Sequence, residues 1–141
     1  MFVSLLIAFA FGLMSCSKDK DDDTDLSKEI IGIWDVTSSE TYIDGKIEKG
    51  STDKEYIEFK ANGTAVRHLF FHDEEEISNY KYSISGNKLY MTYIFKNGEE
   101  DEVEEYEISI SGKTLTMKEN YEWEDDGKKH SSSSTVTYTK R

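Results

Sequence analysis

The sequence predicts an all-β domain, and three observations predict it. From Ile30 onward the chain is rich in Tyr, Ile, Val, Thr and Phe, which favour β-strands. Short turns that contain Gly or Asn interrupt this part of the chain repeatedly. Proline is absent, and no long stretch has the 3.6-residue period of an amphipathic helix. We therefore expect consecutive antiparallel strands joined by hairpins.

Eight strands are expected, spanning about 32–43, 54–60, 64–72, 79–85, 88–95, 102–110, 114–123 and 134–139. Their connections contain residues that tolerate a positive φ, as tight hairpins require: 61–63, 85–87, 96–98 and 111–113. Asp44-Gly45 is a further turn signal, which would extend the first strand into a hairpin of its own. The acidic run 74–76 is expected in an exposed loop. The serine run 131–134 is expected beside a turn.

Apolar and polar residues alternate within the strands, which predicts one buried and one solvated face. The series expected to face inward are Tyr80, Tyr82 and Ile84; Tyr106, Ile108 and Ile110; and Leu115, Met117, Tyr121 and Trp123. Val103 is out of phase with Tyr106, which predicts a β-bulge near Glu104. The strand at 88–95 is apolar on both faces, so its outer face is either covered or lies at a partner surface.

Eight such strands have two plausible architectures. The first is an antiparallel up-and-down barrel, which closes on itself and leaves no exposed edge. The second is a sandwich of two stacked sheets.

The start of the first strand carries a family resemblance. Gly32-Ile33-Trp34 resembles the Gly-x-Trp signature that opens lipocalin-type barrels, and the later runs 56–64 and 85–89 are similar to bacterial lipocalin-like lipoproteins. The resemblance implies that Trp34 closes the narrow end of an eight-stranded barrel and that Gly32 permits a close backbone approach. It also implies a basic side chain over the indole, from Lys140 or Arg141, and we assign Arg141 to that place. The second lipocalin signature, Thr-Asp-x-x-Tyr, is absent.

The residues ahead of the β-rich region are expected to be an export signal. The apolar run from Phe2 to Leu13 is shorter than the roughly 20 residues that span a bilayer, and it suits a secretory signal. Leu13-Met14-Ser15-Cys16 resembles the lipobox of bacterial lipoproteins, in which the cysteine is lipidated after cleavage. We therefore expect a signal peptide at 1–15, a lipidated Cys16 with an acidic tether at 16–27, and a barrel domain at 28–141. Acidic residues after Cys16 also resemble the export signal of Bacteroides-type surface lipoproteins, which implies the outer membrane or cell surface.

Charge and cysteine content exclude several partners and stabilising devices. The formal net charge is −12, so the surface repels nucleic acid and anionic lipid, and no nucleic-acid partner is expected. Cys16 is the only cysteine, so the domain has no internal disulfide. Membrane attachment is then expected through the lipid alone.

No catalytic, metal or cofactor site is predicted. The serine run lacks the Gly-x-Ser-x-Gly context of a nucleophile, and the three histidines form no recognisable set. His68 and His72 lie on one face of a strand but about 13 Å apart, at ~3.3 Å per residue, which is too far for one metal. The alternating Asp residues from 19 to 25 lack the Gly and Glu of a calcium loop.

One polar residue interrupts an inward-facing series. Glu119 lies between Met117 and Tyr121, and a carboxylate inside a barrel must be paired, hydrated or in contact with a ligand. A strand end or bulge that turns Glu119 outward is the alternative. The hypothesis is that a small amphipathic ligand binds against a set of six residues: Tyr80, Tyr82, Tyr106, Glu119, Tyr121 and Trp123.

Three classes of function remain open from the sequence, the last of which is an inhibitor or enzyme. The first is a membrane-anchored surface lipoprotein whose barrel binds a small hydrophobic or amphipathic ligand. The second is a non-enzymatic accessory subunit of an envelope complex, which would have a filled barrel and an outer apolar patch around Tyr90, Thr92 and Ile94. An internal cavity of several hundred Å3 with convergent polar groups would favour the first.

Overall fold

The computed structural model describes residues 25–50 and 53–141, without the side chain of Lys49. The predicted signal peptide, Cys16 and most of the predicted tether lie outside the described residues. The elements are α1 (Leu26–Glu29), β1 (Gly32–Ile43), β2 (Lys46–Lys49), β3 (Lys54–Phe59), β4 (Thr64–Phe71), β5 (Glu74–Ser85), β6 (Lys88–Ile94), β7 (Glu100–Ser111), β8 (Thr114–Asp125) and β9 (Lys128–Lys140).

The strands form a closed antiparallel barrel. From β3 to β9 each strand pairs with the next in sequence, and β1 pairs with both β3 and β9. Eight strands therefore close the ring and β2 is an additional strand. The predicted eight-stranded up-and-down barrel is confirmed, and the sandwich alternative is not adopted.

Two separate strands, β2 and β3, share one edge of β1. Because β9 pairs with one edge of β1 from Trp34 to Ile43, both β2 and β3 must lie on the other edge. β3 pairs with the first residues of β1 and β2 with the last. The turn between β1 and β2 is Asp44-Gly45, and both residues have a positive φ. The hairpin that this dipeptide predicted is therefore present.

Two strands are longer than predicted. β5 starts at Glu74 and β9 at Lys128, so the runs 74–76 and 131–134 lie in strands and were wrongly placed outside them. Both runs are polar on both faces and carry no period-2 signal, yet their backbones pair with β4 and β8. The bulge predicted near Glu104 lies a few residues earlier, where the register between β6 and β7 shifts between Glu100 and Val103.

The hairpins define two ends of the barrel. Because the strands alternate in direction, the turns at 60–63, 86–87 and 112–113 share one end, which we call the floor. The turns at 44–45, 72–73, 95–99 and 126–127 share the other end, the mouth.

The core lies at the floor. Its largest fully buried side chains are Trp34, Phe59, Ile30, Leu89 and Leu115. The Trp34 indole Nε1 donates a hydrogen bond of 2.7 Å to the carbonyl of Ile30, so the polar atom of this buried ring has a partner.

The basic residue over Trp34 is Lys140, and the assignment of Arg141 to that place is wrong. The Lys140 Nζ lies 5.2 Å from the indole centroid and donates a hydrogen bond of 3.0 Å to the carbonyl of Glu29. Lys140 pairs with Trp34 across β1 and β9, whereas Arg141 lies one residue further on, forms an ion pair with Asp35 and covers the ring of Tyr56. Consecutive residues of a strand point to opposite faces, so Lys140 reaches the indole inside the barrel and Arg141 does not.

Gly32 gives Lys140 the space that this contact requires. Its φ is +137°, and a Cβ built at Gly32 would lie 2.8 Å from the Lys140 Cε. A side chain at position 32 would therefore displace the lysine from the indole.

Candidate functional site: a polar cavity in the barrel

A cavity of about 390 Å3 lies inside the barrel on the mouth side of the core. Along β8 the inward series runs from Leu115 in the core to Met117 and Glu119 at the cavity, which orients the cavity relative to the floor. Its apolar wall consists of Val36, Ile57, Leu69, Phe71, Met91, Met117 and Val136, and its polar groups are Ser39, Asp53, Glu55, Arg67, Tyr80, Tyr106, Glu119, Ser134 and Tyr138.

A charged pair occupies one wall. The Arg67 Nε and Nη2 donate to the two carboxylate oxygens of Glu55 over 2.6 Å and 3.0 Å, the bidentate arrangement that orders both side chains. Hydrogen bonding to Glu55, aided by the Tyr80 hydroxyl, raises the pKa of Arg67 despite its partial burial. The guanidinium is thus permanently charged and already engaged.

Two tyrosine hydroxyls are held un-ionised in the cavity. Burial raises the pKa of Tyr138, whose side chain is almost completely enclosed. Burial also raises the pKa of Tyr106, whose hydroxyl donates a hydrogen bond of 2.6 Å to the Glu104 carboxylate. These groups remain neutral donors and acceptors at physiological pH.

Glu119 points into the cavity, as the alternation along β8 predicted. Burial raises the pKa of its carboxyl, and the nearby charge of Glu104 raises it further. No hydrogen bond or ion pair to the Glu119 carboxylate is present among residues 25–50 and 53–141. The Glu119 carboxylate is therefore half-buried, and the charged group that acts on it is a second carboxylate, Glu104.

The structure does not bring the six predicted ligand residues together. Tyr80, Tyr106 and Glu119 line the cavity, but Tyr82, Tyr121 and Trp123 do not. Tyr82 packs edge-on against Phe59 nearer the floor and donates to the carbonyl of Lys60.

Tyr121 and Trp123 lie outside the barrel because β8 and β9 extend beyond it. β8 pairs with β7 only as far as Lys118, whereas its pairing with β9 continues to Asp125. On this extension Tyr121, Trp123 and His130 stack face to face, and Tyr121 is 61% exposed. Alternation gave the correct side of the strand but carried no information on where the strand leaves the barrel.

The divergence of β7 and β8 leaves an opening in the barrel wall. Their ladder covers only Glu107–Ser111 and Thr114–Lys118. Towards the mouth, β7 pairs only with β6, and β8 only with β9, so one edge of each strand faces the other without a ladder. We call residues 100–106 and 119–125 the open seam. It carries nine Asp or Glu residues and no Lys or Arg.

The outer face of β6 is partly covered rather than exposed. Tyr90, Thr92 and Ile94 are all half-buried between β5 and β7. Among large apolar side chains nearby, Ile77, Phe95 and Val103 are the exposed ones.

Two of the three histidines, His68 and His130, make local contacts. The His68 Nδ1 lies 2.6 Å from the Glu75 carboxylate and its ring stacks on Tyr56. His130 lies 2.7 Å from Asp44 and joins the β8–β9 hairpin to the β1–β2 turn, and this contact lowers the pKa of Asp44. Within the described part of the chain no three His, Cys, Asp or Glu side chains are arranged to bind a metal. None of its helices has the length and hydropathy to span a membrane.

Sequence reasoning missed Glu55, Arg67 and Tyr138 as cavity residues. Glu55 and Arg67 alternate in phase with Ile57 and Leu69, so the sequence could have predicted that they face inward. It could not have predicted that they form an ion pair, because that depends on the register between β3 and β4. Tyr138 lies in phase with Val136 on β9 and could have been found from the same pattern.

This chain matches one family model and resembles solved structures of bacterial proteins. A family model described as a lipocalin-like domain matches residues 30–117. A crystal structure of a lipocalin-like protein from Bacteroides uniformis superposes with a TM-score of 0.54 at 17% identity, covering 80% of this chain and 99% of that one. A crystal structure of an uncharacterized protein from Bacteroides eggerthii gives a TM-score of 0.51 at 13% identity, covering 79% and 98%. Among curated proteins none matches this chain.

Proposed function

Because this chain belongs to the lipocalin-like domain family, we propose that its barrel binds a small amphipathic molecule and that a lipid on Cys16 anchors it at the surface of a bacterial outer membrane. The observation that supports binding is the internal cavity. Its volume of about 390 Å3 falls within the range of roughly 300 to 1,000 Å3 typical of small-molecule sites.

The cavity wall suits an amphipathic occupant. Leu69, Met91 and Met117 offer apolar contact, and the unbranched methionines adapt to a ligand of irregular shape. Polar groups converge from other strands, with Tyr80 beside the Arg67–Glu55 pair and Tyr106 near Glu119. A ligand with an apolar body and a polar end would satisfy both parts.

Filling the cavity tests this proposal. Leu69→Trp adds a bulky ring inside the barrel, and Val103→Trp adds the same ring at a residue that is 62% exposed on the outside. The probe is Nile red, a neutral dye that fluoresces in apolar surroundings. We expect Leu69→Trp to weaken its binding at least about tenfold, or ~1.4 kcal/mol, and Val103→Trp to leave it unchanged. Equal binding by all three proteins would place the dye elsewhere and reject the cavity as the site.

The anchor has its own test. The proposal rests on the lipobox-like sequence Leu13-Met14-Ser15-Cys16 and the polar run behind it. One acyl chain holds a protein only marginally and two or three hold it stably, so Cys16→Ala should release the protein from membranes. We expect palmitate labelling and membrane fractionation to show a labelled, membrane-bound wild type and an unlabelled, soluble variant, with Ser17→Ala behaving as wild type. A Cys16→Ala protein that keeps its label would contradict the assignment.

A second candidate is an accessory protein of an envelope complex. The open seam favours it, because strand edges without a ladder can pair with a segment of another protein. The accessory function is the weaker candidate, because an accessory subunit was expected to have a filled barrel and this barrel contains a cavity. Affinity capture with the cavity-blocked Leu69→Trp variant separates the two, because only partner binding would survive.

A further inference from the structure

The charges that line the cavity are unevenly distributed. Asp53, Glu55 and Glu119 contribute three carboxylates, and Arg67 is the single cation among the lining residues. Arg67 is already engaged by Glu55 through two hydrogen bonds and also meets the Tyr80 hydroxyl. Its charge is therefore committed to the protein.

At the open seam a second carboxylate, that of Glu104, lies near Glu119. Glu119 and Glu104 are close enough for their charges to interact, and Tyr106 donates its hydroxyl to Glu104 rather than to Glu119. The apolar Met117 lies two residues from Glu119 on the same face of β8, about 7 Å away at ~3.3 Å per residue. An apolar wall and a carboxylate are thus presented together within the length of a small molecule.

We propose that the cavity selects ligands with a positively charged end, such as an alkylammonium or an aromatic amine, seated against Glu119 with the apolar body on Met117 and Met91. This inference rests on the proposed binding function and names the class of ligand. A cation at this point would relieve the repulsion between Glu119 and Glu104. It would also lie beside the ring of Tyr106, whose face attracts cations.

Anionic amphiphiles fit the same cavity poorly. A fatty-acid carboxylate would face the carboxylate of Glu119, and it could reach Arg67 only by competing with the bidentate contact of Glu55. The protein as a whole carries a net charge of −12, so the long-range field also opposes an anion. Neutral amphiphiles of the same length should bind with intermediate affinity.

Three probes with one chain length test the inference: decyltrimethylammonium, 1-decanol and decanoate, each below its micelle concentration. The protein is the full chain with Cys16→Ala, and titration calorimetry measures the dissociation constants. We expect the cation to bind at least about tenfold more tightly than decanoate at low salt. The ratio should fall as salt increases, because Glu119 is half-exposed and is screened.

Two variants on β8 locate the effect. Glu119→Gln keeps the shape of the side chain and removes its charge, whereas Glu122→Gln makes the same change at an exposed neighbour outside the cavity. We expect Glu119→Gln to reduce the preference for the cation several-fold and Glu122→Gln to leave it near the wild-type value, with thermal melting confirming that both variants fold.

The outcomes separate the inference from the function on which it rests. Binding of decanoate as tight as that of the cation, or a preference that Glu119→Gln does not change, would overturn the charge selection while the binding function stands. If none of the three probes binds, the proposed function fails and the inference fails with it.

Discussion

At the scale of single residues, Trp34 shows how one side chain organises an end of the barrel. Its ring is fully buried, its Nε1 donates to Ile30, and Lys140 covers it from β9. Gly32 makes room for that lysine. Ile30 and Gly32 near the start of the chain and Lys140 near its end thus meet at one indole.

We predict that Trp34→Ala costs about 3 to 5 kcal/mol in the free energy of unfolding, the usual range for a large aromatic removed from a core. Urea denaturation followed by circular dichroism measures this cost. Trp123→Ala is the matched control, because this tryptophan lies on the β8–β9 extension outside the core, and a much smaller change is expected there. A similar small loss for both variants would mean that Trp34 does not support the floor.

Glu119 gives a prediction on pH. Burial, together with the charge of Glu104, raises its pKa above the ordinary 4.5, so the ionised form is less favourable in the folded than in the unfolded protein. The stability that Glu119 contributes is complete below pH 4.5 and is lost as the pH rises through its folded pKa.

It follows that Glu119→Gln should raise the melting temperature at pH 7, and that this gain should disappear below pH 4.5, where the wild-type carboxyl is also neutral. Thermal melting of both proteins across this range measures the difference, with Glu122→Gln as the control for the loss of a surface charge. A lower melting temperature for Glu119→Gln at pH 7 would show that the carboxylate is stabilised in the folded protein.

At the scale of elements, the strands with an alternating pattern were predictable and those without one were not. β7 and β8 carry Ile108, Ile110, Leu115 and Met117 on one face, so their pairing region followed from period 2. β2 has one apolar residue, Ile47, and was indicated only by the Asp44-Gly45 turn. The first residues of β5 and β9 are polar on both faces, and only pairing to a neighbour makes them strands. The contact of Lys140 with Trp34 depended on a register of one residue, which the sequence left open.

At the scale of the whole molecule, closure followed from the number of strands and from the family resemblance, and the nature of the interior did not. Whether an eight-stranded barrel is filled depends on how its inward side chains pack. Here the inward positions on the mouth side include Glu55, Arg67 and Glu119, whose charged groups need polar surroundings and cannot pack as an apolar core. That outcome depended on how β3, β4 and β8 are placed around the interior in three dimensions.

The open seam has a consequence for solubility. Two facing strand edges without a ladder would ordinarily invite a second copy of the chain to add its own edge. We expect the nine carboxylates of residues 100–106 and 119–125 to repel an identical surface and so to oppose self-association. High salt would screen these charges and remove this protection. Sedimentation should then reveal oligomers in high salt that dissociate on return to low salt, and a protein that stays monomeric throughout would show that the edges are shielded by something other than charge.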